Sequence, residues 1–494
     1  MKQSPTIILA VLLFCTLFAY SGCDCDDDDD PSTGSGQAND DDDDGTPDDD
    51  NDDFSPDDDD DDTTDDDDDF TPVDDDDDTP EDWPEQPPEP SNENGVFVAI
   101  TGDDSYPGTM SKPKRTVQAG ANLAAATGKV VFVAQGTYQE NVTTAASLYG
   151  GYEAIGWTRN PRNYPTIIEA KEKTFAVRFY RETTLTVEGF GLTGKAMYDY
   201  ENERINLFTV IINAGRVRLR DNIITTPDCL EPEAEMDVYS HGVAIHGGLA
   251  RLERNTIITG KTGAFGYGIL APVFIDGLSQ AQVIRNILIA QQGNFLATGV
   301  FVGYAAQATL INNVMRTAYS PLAVGMYALG DTLTLHNTLF PGTGQFAMGA
   351  WLPGGAHILG NNIIMSGTGI IEAYCLVTQT YLLPTFDLFG NDFYNQMGGM
   401  LINGSGDSLY TADEINACEW RECESAVGNI AQEPMLTGDY YAHLAEGSPC
   451  IDAGIDPTPW YDRPEVFYDF EGDARPSGAG WDIGMDEYIA ARQP

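Results

Sequence analysis

The sequence predicts an all-β protein, a parallel β-helix in which short strands stack coil upon coil. Two observations carry this prediction. An asparagine followed two places later by a large apolar residue recurs along the chain, and a glycine-marked apolar segment precedes many of these asparagines by 12 to 18 residues. Two short strands in each unit of 24 to 33 residues, separated by Gly, Asn and Thr, are typical of a solenoid.

The asparagine repeat marks one turn of each coil. Stacked coils place equivalent residues above one another, so the asparagines can form a hydrogen-bonded ladder and the apolar residues a core column. We assign these asparagines to the fold and not to a functional site. The pairs are Asn222/Ile224, Asn255/Ile257, Asn286/Leu288, Asn313/Met315, Asn337/Leu339, Asn362/Ile364 and Asn391/Phe393.

The second repeated segment is a short strand that contains a glycine. It reads HGVAIHG, YGILAPV, TGVFVGY, VGMYALG and MGAWLPG in successive units. We expect the glycines of these segments to lie in register, and they are Gly242, Gly268, Gly299, Gly325 and Gly349.

A leucine-rich repeat is the competing solenoid, because VRLRDNII at Val217 to Ile224 matches the core motif of that fold. In a leucine-rich repeat a helix or a tight turn usually follows the asparagine. Here the following segments are glycine-rich and alternating, with no helical period. The parallel β-helix is therefore the better prediction.

A short helix is predicted before the first coil. Residues Thr116 to Ala126 are rich in alanine, and Val117, Ala121 and Ala124 recur at helical spacing. An open solenoid end would expose core and strand edges, so we expect this helix to lie over the first coil as a lid.

The first 22 residues are expected to be a signal peptide. The apolar run from Thr6 to Tyr20 is too short to span a bilayer and follows Lys2. The sequence Tyr20, Ser21, Gly22, Cys23 resembles a bacterial lipobox, which implies that Cys23 is acylated and becomes the new N-terminus. Ordinary secretion is the alternative. Several acyl chains on one cysteine would hold the protein stably on a membrane.

Residues 23–94 are expected to form an acidic linker. From Asp24 to Asp82 there are 33 aspartates, and no lysine or arginine occurs up to residue 90. Such a chain cannot bury enough apolar surface to fold and its charges repel one another, so we expect an extended, disordered stalk. We expect no cofactor. Calcium could condense on these aspartates, although no spacing resembles a dedicated calcium loop.

The remaining chain, 95–494, is predicted to be the β-helix domain, with an N-terminal cap at 95–150, coils from about 150 to 440 and a closing segment at 440–494. After residue 90 the chain has 24 basic and 43 acidic residues. This balance excludes nucleic acid as the expected partner. We expect a monomer.

Both ends of this domain resemble bacterial right-handed parallel β-helix proteins of the pectate-lyase-like group. The resemblance rests on Val96 to Val142, on SLYGGY at Ser147 to Tyr152, on YPTII at Tyr164 to Ile168, and on the closing motifs SPCIDAG at Ser448 to Gly454 and GDARPSGAGWDIGMDEY at Gly472 to Tyr488. It implies a right-handed helix displayed on the cell envelope, in the outer membrane or at the surface. It implies little about activity, because the fold hosts lyases, hydrolases and adhesins.

The cysteines allow local disulfides in an exported protein. Cys418 and Cys423 in CEWREC are close enough in sequence for a bridge, and Cys375 with Cys450 is a weaker candidate. No histidine lies near these cysteines at ligand spacing, so we predict no metal site there. His241 and His246, five places apart on a strand, point to opposite faces and make a poor metal pair.

Four arginines are the best candidates for chemistry. Arg218 and Arg251 each lie four residues before a ladder asparagine, and Arg254 and Arg285 lie one before, so equal offsets stack these pairs in successive coils. They could hold an acidic glycan, as a polysaccharide lyase would require. The alternative is that the acidic loop CLEPEAEMD at 229–237 neutralises them.

An aromatic column is the best binding candidate. If the residues one and three places after each glycine face the core, the residue between them points outward: Ala244, Leu270, Phe301, Tyr327 and Trp351. We expect Phe301, Tyr327 and Trp351 to form an exposed platform for sugar rings; stacking that only stabilises the fold is the alternative. The sequence thus favours a lipid-anchored, non-catalytic polysaccharide-binding protein or adhesin, over a polysaccharide lyase or glycoside hydrolase and over a purely structural surface protein.

Overall fold

The computed structural model describes residues 86–230, 236–263, 267–378, 382–404, 406–438 and 442–490. The predicted signal peptide, Cys23, Cys25 and the acidic segment up to residue 85 lie outside the described residues. In the described part of the chain no helix has the length and hydropathy needed to cross a membrane.

The first half of the solenoid contains strands β1 to β17. In chain order they are β1 Gly95–Val98, β2 Val130–Ala134, β3 Gly136–Gln139, β4 Val142–Thr143, β5 Leu148–Tyr152, β6 Thr166–Glu169, β7 Val177–Phe179, β8 Thr184–Glu188, β9 Phe190–Thr193, β10 Met197–Asp199, β11 Arg204–Ile212, β12 Arg216–Arg220, β13 Ile223–Thr225, β14 Asp237–Ile245, β15 Leu249–Glu253, β16 Thr256–Ile258 and β17 Ile269–Ile275. Helix α1, Val117–Thr127, lies between β1 and β2.

The second half continues to the closing segment. Its strands are β18 Gln280–Ile284, β19 Ile287–Ala290, β20 Leu296–Val302, β21 Gln307–Ile311, β22 Val314–Thr317, β23 Leu322–Ala328, β24 Asp331–Leu335, β25 Thr338–Phe340, β26 Thr343–Trp351, β27 Ala356–Gly360, β28 Ile363–Met365, β29 Thr368–Val377, β30 Thr385–Phe389, β31 Asp392–Tyr394, β32 Ile402–Asn403, β33 Ser408–Leu409 and β34 Cys423–Val427. Helix α2, Ala412–Ala417, and a 3₁₀ helix at Pro464–Phe467 complete the elements.

Three long sheets form the walls of the solenoid. Sheet A has the order β1-β2-β5-β8-β12-β15-β18-β21-β24-β27-β30-β34, sheet B runs from β4 through β7, β11, β14, β17, β20, β23, β26 and β29 to β32 and β33, and sheet C has the order β3-β6-β9-β13-β16-β19-β22-β25-β28-β31. Each coil passes from A to C to B, and successive coils pair in parallel. The predicted parallel β-helix is therefore confirmed.

The core consists of columns of apolar residues that point inward from the three sheets. The residue two places after each repeated asparagine, from Ile224 to Phe393, is fully buried in this core, as predicted. Sheets B and C approach closely at glycines: a Cβ on Gly242 would lie 2.3 Å from Ile257 Cγ2, and one on Gly349 would lie 2.6 Å from Ile364 Cγ2. Only glycine permits this contact distance.

The register of one repeat differs from the prediction. Val243 pairs with Val273, and Val273 with Val300, so Pro272 and not Gly268 occupies the glycine column in that coil. The predicted outward residue of this coil, Leu270, is wrong for the same reason, and Phe274 takes its place.

The asparagine ladder is confirmed. Asn313 illustrates the pattern: its Oδ1 accepts from the backbone N and Nδ2 of Asn286, at 2.9 and 3.1 Å, and its Nδ2 donates to Asn337 Oδ1 and to the Val283 carbonyl. The ladder runs unbroken from Asn222 to Asn391 and extends further, to Asn429. Asn416 of α2 ends it, because its side chain bonds both the backbone N and Nδ2 of Asn429.

Helix α1 covers the first coil, as predicted. Thr116 caps its N-terminus by accepting from Ala119 N, and Gly128 ends it in the left-handed conformation. Its buried face includes Val117, Ala121 and Ala124. The other end of the core is closed by Ile415 of α2 and by Trp420, both buried in the same apolar cluster.

The closing segment folds back along the outside of the solenoid. Residues around Ile455 to Phe467 pack on outward residues of sheet A, forming a second apolar cluster that includes Ile311, Leu335 and Val466. The rings of Phe389 and Trp460 stack with centroids 3.8 Å apart. The end of the segment packs near sheet C, where Ile363 and Ile483 share a further cluster.

Candidate functional site

The four candidate arginines occupy two stacked columns. Arg218 of β12 and Arg251 of β15 are direct register partners in sheet A. Arg254 and Arg285 lie in the turn between sheets A and C, immediately before ladder asparagines, with φ of 52° and 58°. The predicted stacking of each pair is therefore present.

Ion pairs occupy three of these arginines. Glu253 accepts from Arg218 Nε at 2.8 Å and from Arg251 Nε at 2.6 Å, and Arg251 Nη2 also reaches Glu465 at 2.8 Å. Burial alone would raise the pKa of Glu253, but Arg251 and Arg218 together hold that pKa below its usual range. Arg254 makes a bidentate pair with Asp221, with both distances 2.8 Å.

The acidic loop is not the partner that the sequence suggested. Its Glu231, Glu233 and Glu235 lie outside the described residues, and Asp237 accepts from the backbone N of Tyr267. The arginines are neutralised instead by Glu253, Asp221 and Glu465. Glu465 was out of reach of sequence reasoning, since it comes from the closing segment 214 residues after Arg251.

The residue before each ladder asparagine forms a column that sequence reasoning missed. Asn312, His336 and Asn361 share the left-handed conformation of Arg254 and Arg285, with φ between 53° and 55°. Asn312 Nδ2 donates to the Tyr468 carbonyl at 2.7 Å, and Asn361 binds both the N and O of Ile455. Arg285 lies over the Tyr468 ring at 5.7 Å, and burial lowers its pKa. This column holds the closing segment.

The aromatic column is stacked as predicted but it is buried. Ring centroids are 5.0 Å apart between Phe301 and Tyr327 and between Tyr327 and Trp351, and Phe274 continues the stack at 4.7 Å from Phe301. Phe301, Tyr327 and Trp351 are only 6%, 1% and 4% exposed. The predicted exposed platform is therefore wrong. Strand alternation gives the direction of a side chain, but packing around it decides whether solvent reaches it.

The histidine pair belongs to the same packed layer. His241 lies against Phe274, with centroids 4.3 Å apart, and against Phe208 at 5.0 Å. Burial lowers the pKa of His241 to about 3, so its imidazole is neutral. His246 lies 6.2 Å from the Phe274 ring.

The cysteines form one bridge in the described chain. Cys418 and Cys423 are disulfide-bonded, with Cα atoms 5.5 Å apart. Cys375 and Cys450 are both free and buried, so the second candidate bridge is wrong. Both thiols instead lie near the Asp392 carboxyl, to which Cys450 Sγ donates at 3.5 Å.

Exposed tyrosines line a different part of the solenoid. They lie on the connections from sheet C to sheet B, and we call this set the tyrosine edge: Tyr198, Tyr200, Tyr267 and Tyr319, with exposures of 38%, 66%, 55% and 43%. The Tyr198 and Tyr200 rings stack at 6.0 Å, and Tyr267 meets Phe295 edge-on at 5.3 Å. The sequence signal was present, in MYDY and in the loop tyrosines, but pattern analysis concentrated on strands.

The solenoid beside this edge is almost uncharged. Residues 286–371 contain one basic and one acidic residue, Arg316 and Asp331. The Arg316 guanidinium lies over the Phe340 ring at 4.3 Å. The surface therefore offers aromatic rings and neutral polar groups in place of an array of charges.

These features define a parallel β-helix protein with a covered sheet A, a packed aromatic layer on sheet B and an exposed tyrosine edge. In comparisons with known proteins, residues 100–320 match the model of a family described as a protein of unknown function, DUF1565. This part of the chain is similar to that family, which carries no assigned activity. No curated protein matches the chain.

Proposed function

We propose that this protein is a lipid-anchored β-helix of the bacterial cell envelope that binds polysaccharide along its tyrosine edge without reacting with it. The supporting observation is the row of exposed tyrosines on a rigid solenoid. Tyrosine presents a flat apolar ring and a hydroxyl, which suits the apolar faces and hydroxyl groups of sugar rings. Exposed apolar patches of this kind often mark binding sites.

The spacing of the edge favours a chain as ligand. Gly293, in the connection between β19 and β20, donates its N–H to the Tyr319 carbonyl of the next coil, and Tyr267 meets Phe295 of that same connection. Tyr267 and Tyr319 are thus two coils apart, which is about 10 Å along the solenoid axis. A linear glycan running parallel to the axis can contact both rings.

The low charge of the adjoining coils favours a neutral polysaccharide over an acidic one. An acidic chain would need unpaired cations, whereas Arg218, Arg251 and Arg254 are held by carboxylates. The same pairing leaves these three arginines poorly suited to act as the base of a lyase. A polysaccharide lyase or glycoside hydrolase therefore remains the second candidate without support from them, and a purely structural role is the third.

The anchor is part of the proposal and rests on the sequence. Acylation at Cys23 would place the protein on the outer membrane or cell surface, and the acidic segment 23–94 would space the solenoid from it. Calcium bound to that segment would shorten the stalk, since it would screen the repulsion between aspartates.

A binding comparison tests the tyrosine edge. The full-length Cys23→Ser protein is applied to an array of neutral and acidic polysaccharides, beside the variant that also carries Tyr267→Ala and Tyr319→Ala. We expect the parent to bind and the double variant to lose at least tenfold in affinity, because stacked rings supply the contact. Tyr304→Ala is the matched control, since Tyr304 is 68% exposed but lies after β20 on another edge. Unchanged binding by a folded double variant would refute the assignment.

A further inference from the structure

Three segments of the closing region converge on a small polar cluster. His443 follows the described break at 439–441, Glu471 lies in the turn at Asp469–Gly472, and Asp486 lies near the end of the described chain. Backbone contacts fix this arrangement: Leu444 N donates to Asp486 Oδ2 at 2.8 Å, and Phe470 N donates to the Met485 carbonyl at 3.0 Å.

The side chains of the cluster present three metal-ligating atoms to one point. His443 Nε2 lies 2.9 Å from Glu471 Oε1, and one carboxylate oxygen of Asp486 lies within 4.8 Å of both ligand atoms. Asp486 is buried and fixed, whereas His443 and Glu471 are half-buried at the surface. The two outer side chains can therefore adjust toward an ion while the inner one anchors it.

The cluster carries more negative charge than its neighbours neutralise. Burial raises the pKa of Asp486 to about 6, and the nearby Glu471 and Asp469 raise it further, while His443 opposes them. Arg475, the nearby arginine, donates to Glu487 and to the Gly484 carbonyl instead. A divalent cation would supply the missing positive charge.

The geometry points to a divalent transition-metal site, with Zn²⁺ as its best occupant, formed by His443, Glu471 and Asp486. One imidazole nitrogen and two carboxylate oxygens suit zinc, whereas calcium and magnesium prefer oxygen ligands alone. The remaining coordination position faces solvent and would hold water. Because the ligands come from three segments, the metal would cross-link the closing region against the solenoid.

Zinc titration of the EDTA-treated, full-length Cys23→Ser protein tests the site, with excess magnesium present to occupy the acidic segment. We expect a raised melting temperature and, with Co²⁺ in place of zinc, a visible absorption band from the bound ion. His443→Gln keeps a hydrogen-bond donor toward Glu471 but removes the imidazole ligand. Asp486→Asn keeps the acceptor for Leu444 N.

Each of these two variants should bind zinc roughly tenfold more weakly, or worse, and lose the zinc-dependent rise in melting temperature. Glu446→Gln, an exposed change three residues after His443, is the control and should behave as the parent. Zinc held elsewhere, for example by Cys25, would be unaffected by the substitutions. Equal zinc stabilisation of parent, His443→Gln and Asp486→Asn, or none in the parent, would overturn the site and leave His443 and Glu471 as a simple ion pair.

Discussion

At the scale of single residues, the asparagine ladder makes the clearest energetic claim. Asn313 is fully buried and bonds two neighbouring asparagines and a backbone carbonyl. Asn313→Ala should lower the free energy of unfolding by about 1–3 kcal/mol, because it leaves these buried groups without partners. Urea unfolding measures this change. Asn163→Ala, at an exposed loop position, is the control and should change it little; equal effects of the two substitutions would contradict the ladder's role.

A second residue-scale prediction concerns pH. Burial raises the pKa of Asp392 to about 7, whereas an unfolded aspartate titrates near 4. The folded protein therefore retains a proton that the unfolded chain has lost, and stability falls as pH rises from about 4 to 7. Asn at this position stays neutral at every pH. Relative to the parent, Asp392→Asn should gain about 1–3 kcal/mol between pH 5 and pH 8.

Urea unfolding of both proteins at the two pH values measures that difference. The comparison with the parent cancels contributions from buried groups elsewhere, including His357, whose pKa burial lowers to about 4 and which acts in the opposite direction. A parent-to-variant difference that is the same at pH 5 and pH 8 would show that Asp392 is ionised throughout this range.

Residue roles that repeat could be predicted from sequence, and those that occur once could not. Every ladder asparagine was identified up to Asn391, because stacked coils impose the same chemistry in each unit. The ion pair of Arg251 with Glu465 and the cluster around His443 join segments far apart in the chain. No local period marks such contacts.

At the scale of elements, the glycine column sets the distance between sheets B and C. A Cβ on Gly349 would lie 2.5 Å from the carbonyl oxygens of Cys375 and Met365, both backbone atoms. Gly349→Ala should therefore destabilise the protein by about 1–3 kcal/mol through overpacking. Gly438→Ala is the control, because nothing lies within 4 Å of its added Cβ. Thermal or urea unfolding compares them, and a neutral Gly349→Ala would mean that the sheets can separate at no cost.

Strand registers were predicted where the repeat length is regular and failed where it is not. Gly268 was assigned to the glycine column from its place in the motif, but Pro272 occupies that position in the sheet. The unit between Asn255 and Asn286 has 31 residues, and its extra length lies in the connection before β17. Loop length is not constrained by stacking, so it shifted the apparent alignment.

At the scale of the whole molecule, the proposed anchor should govern where the protein is found. Cys23→Ser should release it from membranes, since acyl chains would be the apolar anchor left after signal cleavage. Fractionation of cells at high salt, with immunodetection of pellet and supernatant, measures the distribution. A serine variant that stays in the membrane pellet would rule out lipidation at Cys23 as the anchor.

The fold class could be predicted because every coil repeats the same instruction, but the covering of its faces could not. Sheet A is covered by the closing segment, and the rings on sheet B are buried, whereas alternation alone suggested a bare aromatic stripe. Which surface remains open depends on long-range packing. That is why the binding edge proposed from the structure differs from the one expected from the sequence.

The central claim is that the solenoid binds polysaccharide without chemistry, and one paired measurement tests it most directly. The full-length Cys23→Ser protein is incubated with each polysaccharide of a neutral and acidic panel, with calcium present, and bound protein and newly formed reducing or unsaturated chain ends are measured in the same samples. We predict binding to at least one neutral polysaccharide with no increase in chain ends over time. An increase in either kind of end would identify an enzyme, and failure to bind any member of the panel would contradict the proposed function.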